Sequence, residues 1–158
     1  MVTASEFRLI AKYEPETGDF IWLQTKTSRK AGTKAPRRPY VQFKIGGKLY
    51  YAHRLAWLVT HGEWPASQID HINGDPSDNR IANLRLATPA QNMANMRMHR
   101  DNKAGLKGVC QLESGNFMAS IREAGKVKYL GVFDDAGAAH KAYCLEAARI
   151  HGEFARAY

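Results

Sequence analysis

The feature that most limits how this chain folds is a middle region, residues 68–97, that is dense in asparagine and aspartate. Their short polar side chains hydrogen-bond to nearby backbone groups, which favours turns over long helices and strands. The region therefore predicts a turn-rich loop, a short strand over residues 84–87 and then a helix. Thr88 is the expected N-cap of that helix, and Pro89 is its first-turn proline.

The chain before this region alternates apolar and polar residues between turn residues, a pattern typical of β-hairpins. An apolar stretch with helical spacing follows. The predicted elements are a hairpin of residues 7–13 and 19–23, a second hairpin of residues 40–45 and 48–51, and a helix over residues 53–60 that ends near Gly62.

The last fifty or so residues are predicted to form a unit of their own, after a polar, glycine-containing linker at residues 101–107. Three short strands and one alanine-rich helix are expected, and the alanines allow the helix to pack closely on the sheet. The strands cover residues 109–112, 116–122 and 126–133, and the helix is capped by Asp134, runs to about His151 and is closed by Gly152.

The charge of the chain points to a polyanionic partner. The 158 residues carry a formal charge of +8, and the pI is near 9.6. Basic residues cluster at residues 26–34, at Arg37 and Arg38, and at residues 97–107. Such clusters attract DNA because neutralised phosphates release their counterions. Membrane-surface binding is the rival interpretation, but it requires a basic amphipathic helix, and these segments are rich in Gly, Pro and Asn.

The sequence disfavours a membrane-spanning protein and a disulfide-stabilised protein. No apolar run approaches the roughly 18 residues that span a bilayer, and the N-terminus lacks the plan of a signal peptide. Cys110 and Cys144 are far apart and form no CxxC pair, which argues against a disulfide framework and against a cysteine zinc site. We therefore expect a protein of the reducing cytoplasm.

A candidate catalytic cluster lies in the Asn- and Asp-rich region. Asp70 and His71 follow Ile69, a hydrophobic residue that indicates the end of a strand, and a tight loop then begins at residues 73–75. A strand, a loop, a strand and a helix in this order can bring Asp70, His71 and Asn92 together. A carboxylate and an amide oxygen are hard ligands that suit Mg²⁺. Because a neutral imidazole can deprotonate water near neutral pH, the cluster predicts phosphodiester hydrolysis.

The same segment resembles the ββα-metal nuclease core of HNH endonucleases, in particular the group related to phage and intron homing nucleases. The DH…N…N pattern of that core matches Asp70-His71, Asn83 and Asn92. The flanking sequences AHRLAW, GEWP and DHINGD…NR…NLR…T…QN also look like that family. The resemblance covers about residues 40–97.

The resemblance implies a role for each motif residue. His71 would be the general base that activates water, and Asn83 would pin the loop so that His71 is aimed at the phosphate. Asp70 and Asn92 would hold one Mg²⁺ or Mn²⁺, which binds a phosphate oxygen and stabilises the leaving 3′ oxygen. The family often has histidine where this chain has Asn92, and the asparagine favours a hard metal over zinc.

Several nearby residues carry two interpretations each. Asn79 and Asn95 remain alternatives as metal ligand or loop pin. His53 either borders the site or packs at the start of a helix, and the structural interpretation is favoured. Arg54 and Arg85 either contact phosphates or form surface ion pairs.

The C-terminal unit contains a series of short motifs. They are GV at residues 108–109, FMASIR at 117–122, YLGVFD at 129–134, AAHKAY at 138–143 and HGEFA at 151–155. This series resembles the Apetala/ethylene-response-factor type of DNA-binding domain over about residues 105–156. The resemblance implies a three-stranded antiparallel sheet packed on one helix, with the exposed face of the sheet in the major groove of duplex DNA.

Strand alternation predicts two faces for this sheet. The face toward the helix carries Phe117, Ala119 and Ile121, and the outward face carries Met118, Ser120 and Arg122. Cys110 and Val127 stand where plant members of the family usually carry arginine, so the base preference of those members does not transfer. The residues expected to contact DNA along the whole chain are Arg54, Arg85, Arg97, Arg100, Lys103, Lys107, Arg122, Lys126 and Tyr129.

Together these patterns predict an α+β chain in three parts. An HNH domain with a ββα-metal core preceded by β-hairpins covers residues 1–100, a linker covers residues 101–107, and a DNA-binding domain covers residues 108–158. The function that the HNH resemblance implies is metal-dependent cleavage of duplex DNA to 5′-phosphate and 3′-hydroxyl ends. The resemblance suggests a homing-type or phage-type role in a bacterial or phage-infected host cell.

Other functions remain open at this point. A catalytically inactive DNA-binding regulator is the alternative from a different class. RNA cleavage is disfavoured because the sheet lacks the exposed aromatic pairs of single-strand RNA readers. Cutting both DNA strands with a single active site would require a homodimer or two successive nicks.

Overall fold

The computed structural model describes residues 1–23, 33–35, 38–98 and 101–156. It divides into two units, Met1–Thr88 and Pro89–Tyr158, and each has a hydrophobic core of its own. The predicted domain limits at residues 100 and 108 remain predictions. No helix within the described ranges has the length and hydropathy of a bilayer span.

The first unit consists of short helices and antiparallel strands. β1 pairs with β2, β4 lies between β3 and β5, and β6 pairs with β7. The elements are α1 (Ala4–Arg8), β1 (Ala11–Glu14), β2 (Asp19–Trp22), β3 (Thr33–Ala35), β4 (Arg38–Ile45), β5 (Lys48–Tyr51), α2 (Ala52–His61), β6 (Gln68–His71), a 3₁₀ turn (Ile81–Asn83) and β7 (Leu84–Ala87).

The predicted strand over residues 7–13 is wrong in its first half, because a helix occupies that part of the chain. Thr3 and Glu6 form a capping box at the start of α1. The Thr3 amide donates to Glu6 Oε2 (2.8 Å), and the Glu6 amide donates to Thr3 Oγ1 (3.2 Å). This pair satisfies amide groups that a helix start otherwise leaves open. Thr-x-x-Glu is therefore the local signal that the strand prediction overlooked.

Both predicted hairpins are present, although the first strand of the first hairpin begins only at Ala11. In the first, Ala11 faces Trp22 and Glu14 faces Asp19. In the second, β4 and β5 meet at Gly46-Gly47, where both glycines have positive φ, as a tight two-residue turn requires. The predicted helix over residues 53–60 is also confirmed as α2, and Gly62 ends it in the left-handed conformation.

Aromatic residues from these elements fill the core of the first unit. Phe7 of α1 packs edge-to-face on Phe20 of β2 and on Phe43 of β4, with ring centroids 5.8 and 5.9 Å apart. Leu55 and Leu58 of α2 are buried in the same cluster. The core thus ties the first hairpin and the central strand to the helix that precedes β6.

The first hairpin also supports the loop between β6 and β7. The Tyr13 hydroxyl donates to the Asn79 carbonyl (2.7 Å), and the Ile81 amide donates to the Pro15 carbonyl (3.2 Å). Gly18, in the hairpin turn, lies so close to the loop backbone that an added Cβ would sit 2.5 Å from the amide nitrogen of Arg80. The loop backbone can therefore pack this closely on the hairpin turn only because residue 18 has no side chain.

The second unit contains a three-stranded antiparallel sheet in the order β10-β9-β8, packed against one long helix. This confirms the fold predicted for the C-terminal region. The helix predicted after Thr88 is also present. The elements are α3 (Pro89–Asn95), β8 (Val109–Gln111), β9 (Phe117–Glu123), β10 (Lys126–Phe133), α4 (Ala136–His151) and a 3₁₀ turn (Gly152–Phe154).

Strand alternation in this sheet is as predicted. Ala119 and Ile121 are buried, and Ala119 clusters with Ala139 while Ile121 clusters with Tyr143. The predicted cap of α4 is one residue too early. Asp135, not Asp134, is the N-cap, because its side chain is the one that accepts the Ala138 amide (2.8 Å).

We expect Gly18→Ala to destabilise the protein more than Gly47→Ala does. The two glycines have nearly equal φ, +74° and +79°, so both substitutions carry the left-handed backbone strain of about 1–2 kcal/mol. At Gly18 the new methyl group also meets backbone atoms of Asn79 and Arg80, whereas at Gly47 nothing lies within 4 Å. Overpacking should add about 1–3 kcal/mol at Gly18 in urea unfolding curves. Equal losses at both positions would contradict the close approach.

Candidate active site

The β6–β7 ribbon places the predicted catalytic pair at a strand end. β6 pairs with β7 so that Asp70 faces Arg85 and His71 faces Leu84. Asp70 and His71 are both buried, with 3% and 6% of their surfaces exposed. Two adjacent buried polar residues at the end of a short strand are unusual, because burying such groups costs free energy unless they are paired.

Arg85 compensates the buried charge of Asp70. Its Nε donates to Asp70 Oδ2 at 2.9 Å, and the exposed fractions of the two side chains are 13% and 4%. Arg85 had two interpretations, phosphate contact or surface ion pair, and the structure places it in an ion pair that is mostly buried. A guanidinium in this position fixes the orientation of the carboxylate as well as its charge.

Burial also sets the protonation of His71. It lowers the pKa of His71, while the Asn79 side chain and the carboxylates of Asp70, Asp75 and Asp78 act in the opposite direction. The net effect is a lowered pKa, so the imidazole is neutral at pH 7. A neutral imidazole is the form that accepts a proton.

His53 lies beside His71. The two ring centroids are 5.2 Å apart with an interplanar angle of 82°. Burial, together with neighbouring His71 and Arg54, lowers the pKa of His53 to about 3. His53 therefore lies in the first turn of α2 and also borders the candidate site, so both interpretations drawn from the sequence apply to it. Tyr40 and Tyr51, which contact the His53 ring, were not identified from the sequence.

Asn83 closes the loop that follows His71. Its Oδ1 accepts from the Asn73 amide (2.9 Å), and its Nδ2 donates to Asn73 Oδ1 (3.0 Å) and to the Asp78 carbonyl (2.9 Å). The Ile72 amide, next to His71, donates to the Asn83 carbonyl (2.9 Å). These are contacts that a loop pin would make. Asn79, the alternative pin, is buried and donates to the Ser77 carbonyl (3.1 Å).

The acidic residues of the loop serve its own structure. Asp75 Oδ1 accepts from the amide and the hydroxyl of Ser77 (2.9 and 2.8 Å). Asp78 accepts from the Arg80 guanidinium (2.9 and 2.6 Å), which lowers the pKa of Asp78. Among the loop and strand residues, Asp70 is thus the carboxylate that is buried beside His71.

The Asp70 carboxylate is a hard oxygen donor of the kind that Mg²⁺ prefers. Within the described ranges, no group of three or more His, Cys, Asp or Glu side chains is arranged to hold a metal. Mg²⁺ does not need such a group, since it binds through one or two carboxylates and keeps several waters. Asn92 and Asn95, the predicted amide ligands, lie on α3 of the second unit, where Asn92 is half-buried and Asn95 is buried. Both stay predicted ligands.

Besides Arg85, two more of the predicted DNA contacts have structural partners. Arg54 donates to the Ser67 and Pro65 carbonyls (3.4 and 3.5 Å) and lies over the Trp64 ring. Lys107 Nζ donates to the Ala94 and Met96 carbonyls (2.6 and 2.7 Å) at the end of α3. The exposed members of the predicted set are Arg97, Lys103, Arg122, Lys126 and Tyr129. Arg100, like most of the basic cluster at residues 26–34, lies outside the described residues.

Comparison with known proteins supports the nuclease resemblance. Residues 50–94 match a family model described as HNH endonuclease. The matched segment holds His53, Asp70, His71, Asn83 and Asn92. The chain thus contains an HNH endonuclease domain, while the resemblance of residues 105–156 to the Apetala/ethylene-response-factor type stays a prediction.

Two viral proteins are similar to the chain. Protein 3.8 of Escherichia phage T7 is 39% identical over 74 residues, which cover 46% of this chain and 59% of that protein. An uncharacterized HNH endonuclease of Acanthamoeba polyphaga mimivirus is 31% identical over 110 residues, which cover 69% of this chain and 57% of that protein. The chain therefore spans less than three fifths of either relative. No solved structure gives a significant match.

We expect Asn83→Ala to destabilise the first unit by about 2–4 kcal/mol, because it removes three part-buried hydrogen bonds of the loop. Urea unfolding measures this loss. Asn83→Asp is the matched variant, because it keeps the oxygen that accepts from the Asn73 amide. It replaces Nδ2 with an oxygen, which would face the two oxygens to which Nδ2 now donates, Asn73 Oδ1 and the Asp78 carbonyl. It should therefore be destabilised as well. Wild-type stability of Asn83→Asp would show that the two Nδ2 hydrogen bonds contribute little.

Proposed function

We propose that this protein is a metal-dependent endonuclease that hydrolyses phosphodiester bonds of duplex DNA to 5′-phosphate and 3′-hydroxyl ends. The observation that carries the proposal is the buried Asp70-His71 pair at the end of β6, inside the segment that matches the HNH endonuclease model. The positive charge of the chain suits a polyanionic substrate.

His71 is the general base in this proposal. Its burial keeps the imidazole neutral at pH 7, so it can take a proton from the water that attacks phosphorus. The proton then resides on His71 while the hydroxide oxygen bonds to phosphorus and the P–O3′ bond breaks. The leaving 3′ oxygen takes a proton from solvent to give the 3′-hydroxyl end. The carboxylate of Asp70, the residue before His71, stabilises the imidazolium that forms.

Asp70 and an amide of α3, from Asn92 or Asn95, would hold one Mg²⁺ or Mn²⁺. When bound, such an ion stabilises negative charge on the phosphate and on the leaving oxygen. The ion pair with Arg85 supports this role because it holds the carboxylate in one orientation. Asn83 acts on the reaction through the loop, since its hydrogen bonds fix the chain directly after His71.

The sheet of the second unit is the proposed DNA-binding surface. Arg122 on β9 and Val127 on β10 face each other on the outward side, and Ser120 is paired with Tyr129 in the same way. Val127 and Tyr129 are exposed by 66% and 59%. A β-ribbon such as β9 paired with β10 can enter the major groove of duplex DNA, where arginine pairs well with guanine. The viral origin of both relatives supports a phage-type or homing-type role in an infected host cell.

A plasmid assay tests the nuclease. We expect supercoiled DNA to be nicked or linearised with Mg²⁺ and to stay intact with EDTA. His71→Ala should cut about 10²–10⁴-fold more slowly, because it lacks the general base. His61→Ala is the matched control, since His61 is exposed and stacks on Trp57 instead. If the wild type cuts neither plasmid nor genomic DNA but still shifts duplex DNA on a gel, the inactive DNA-binding regulator becomes the better description.

A binding assay tests the sheet. We expect Arg122→Ala to weaken duplex binding about tenfold, within the 1–3 kcal/mol typical of a base-reading arginine. Arg149→Ala removes the same charge from α4, where Arg149 pairs with Glu146 and Glu123, and should change binding little. Equal losses for both variants at several salt concentrations would mean that overall charge, rather than the outward sheet face, governs binding.

A further inference from the structure

His53 is a buried histidine that the proposed reaction leaves without a role. It lies in the first turn of α2, directly after β5, and 8% of its surface is exposed. Its Nδ1 is buried and makes no hydrogen bond to any described residue. A buried polar atom in this state costs free energy. The imidazole is therefore not held in place by a hydrogen bond at Nδ1, and its ring packs against neighbouring aromatic rings.

Those ring contacts form a cluster around the candidate general base. Tyr51 stacks on His53 with ring centroids 5.5 Å apart and planes inclined by 13°. Tyr40 lies 5.4 Å from His53 and 6.2 Å from His71, measured between ring centroids. His53 itself meets His71 at 5.2 Å in the edge-to-face arrangement that aromatic rings favour. The His71 ring thus lies beside the rings of Tyr40 and His53, and Tyr51 stacks on His53.

A general base depends on the orientation of its ring. His71 turns about two side-chain bonds, and a small error in the direction of its lone pair is costly, since a displacement of about 1 Å in an active site can lower the rate about 10²-fold. The perpendicular contact with His53 restricts this rotation, because turning His71 would drive it into the neighbouring ring. The stack on Tyr51 in turn keeps His53 from moving aside.

We propose that His53 is a positioning residue for His71: its ring, stacked on Tyr51 and packed edge-to-face with His71, holds the general base in the orientation that proton transfer requires. The proposal rests on the proposed nuclease function. It assigns the effect to the shape of the ring rather than to a nitrogen atom of His53. An aromatic ring without nitrogen should therefore serve in its place.

Cleavage by two variants tests this assignment. His53→Ala removes the ring, and we expect kcat to fall at least about tenfold with little change in KM. His53→Phe restores a ring and should keep kcat within about threefold of the wild type, because the bulk that orients His71 is retained. His61→Ala, on the same helix but stacked on Trp57, is the control and should cut at the wild-type rate.

A spectroscopic measurement makes the test independent of cleavage. Long-range proton–nitrogen NMR spectra resolve the His71 imidazole in the intact protein. His53→Ala should shift and broaden the His71 ring signals, and His53→Phe should restore a single sharp set. If the wild type cuts no DNA, the proposed function fails, while these spectra still decide whether His53 orients His71. Thermal melts of each variant establish that the fold is retained.

Two outcomes would overturn the proposal. One is that His53→Ala keeps both the wild-type kcat and the wild-type His71 signals. The other is that His53→Phe melts like the wild type but loses as much activity as His53→Ala. In that second case a nitrogen of His53, and not the packing of its ring, would be what the site uses.

Discussion

The geometry of the candidate site depends on the buried ion pair between Asp70 and Arg85. A carboxylate with 3% of its residue exposed has lost nearly all contact with water and needs a counter-charge. The β6–β7 register provides it, since Arg85 is the direct partner of Asp70. A slip of one residue would turn Arg85 to the other face of the ribbon. The same strand register therefore pairs Asp70 with Arg85 and places His71 at the end of β6.

Around this pair the protein keeps groups that lower its stability. His53 and His71 are buried and neutral, and the His53 Nδ1 has no hydrogen-bond partner in the described part of the chain. A core built for stability alone would place apolar side chains there. Local departures from the rules of packing are expected where a site must present polar atoms. In this unit the aromatic core of Phe7, Phe20 and Phe43 offsets the cost.

Sequence reasoning predicted the elements whose signals are local. The Gly46-Gly47 hairpin, the strand Leu84–Ala87 and the C-terminal sheet with its helix follow from turn residues and alternation. The helix at residues 4–8 was missed because its capping box is a short signal beside a strand-like pattern. The contact of Tyr40 and His53 with His71 joins three separate elements, and no local pattern encodes such a contact. The approach of Asn92 to Asp70 remains a prediction.

The dependence of the Asn- and Asp-rich loop on the first hairpin limits how far the chain can be trimmed. Tyr13, Pro15 and Gly18 all contact that loop, yet they precede the segment that matches the HNH model. A fragment of residues 50–94 would lose these supports together with Phe7, Phe20 and Phe43. It would expose the faces of α2 and β6 that these residues cover. The matched segment carries the chemical groups, but the smallest part of the chain that can hold them in place includes the N-terminal hairpin.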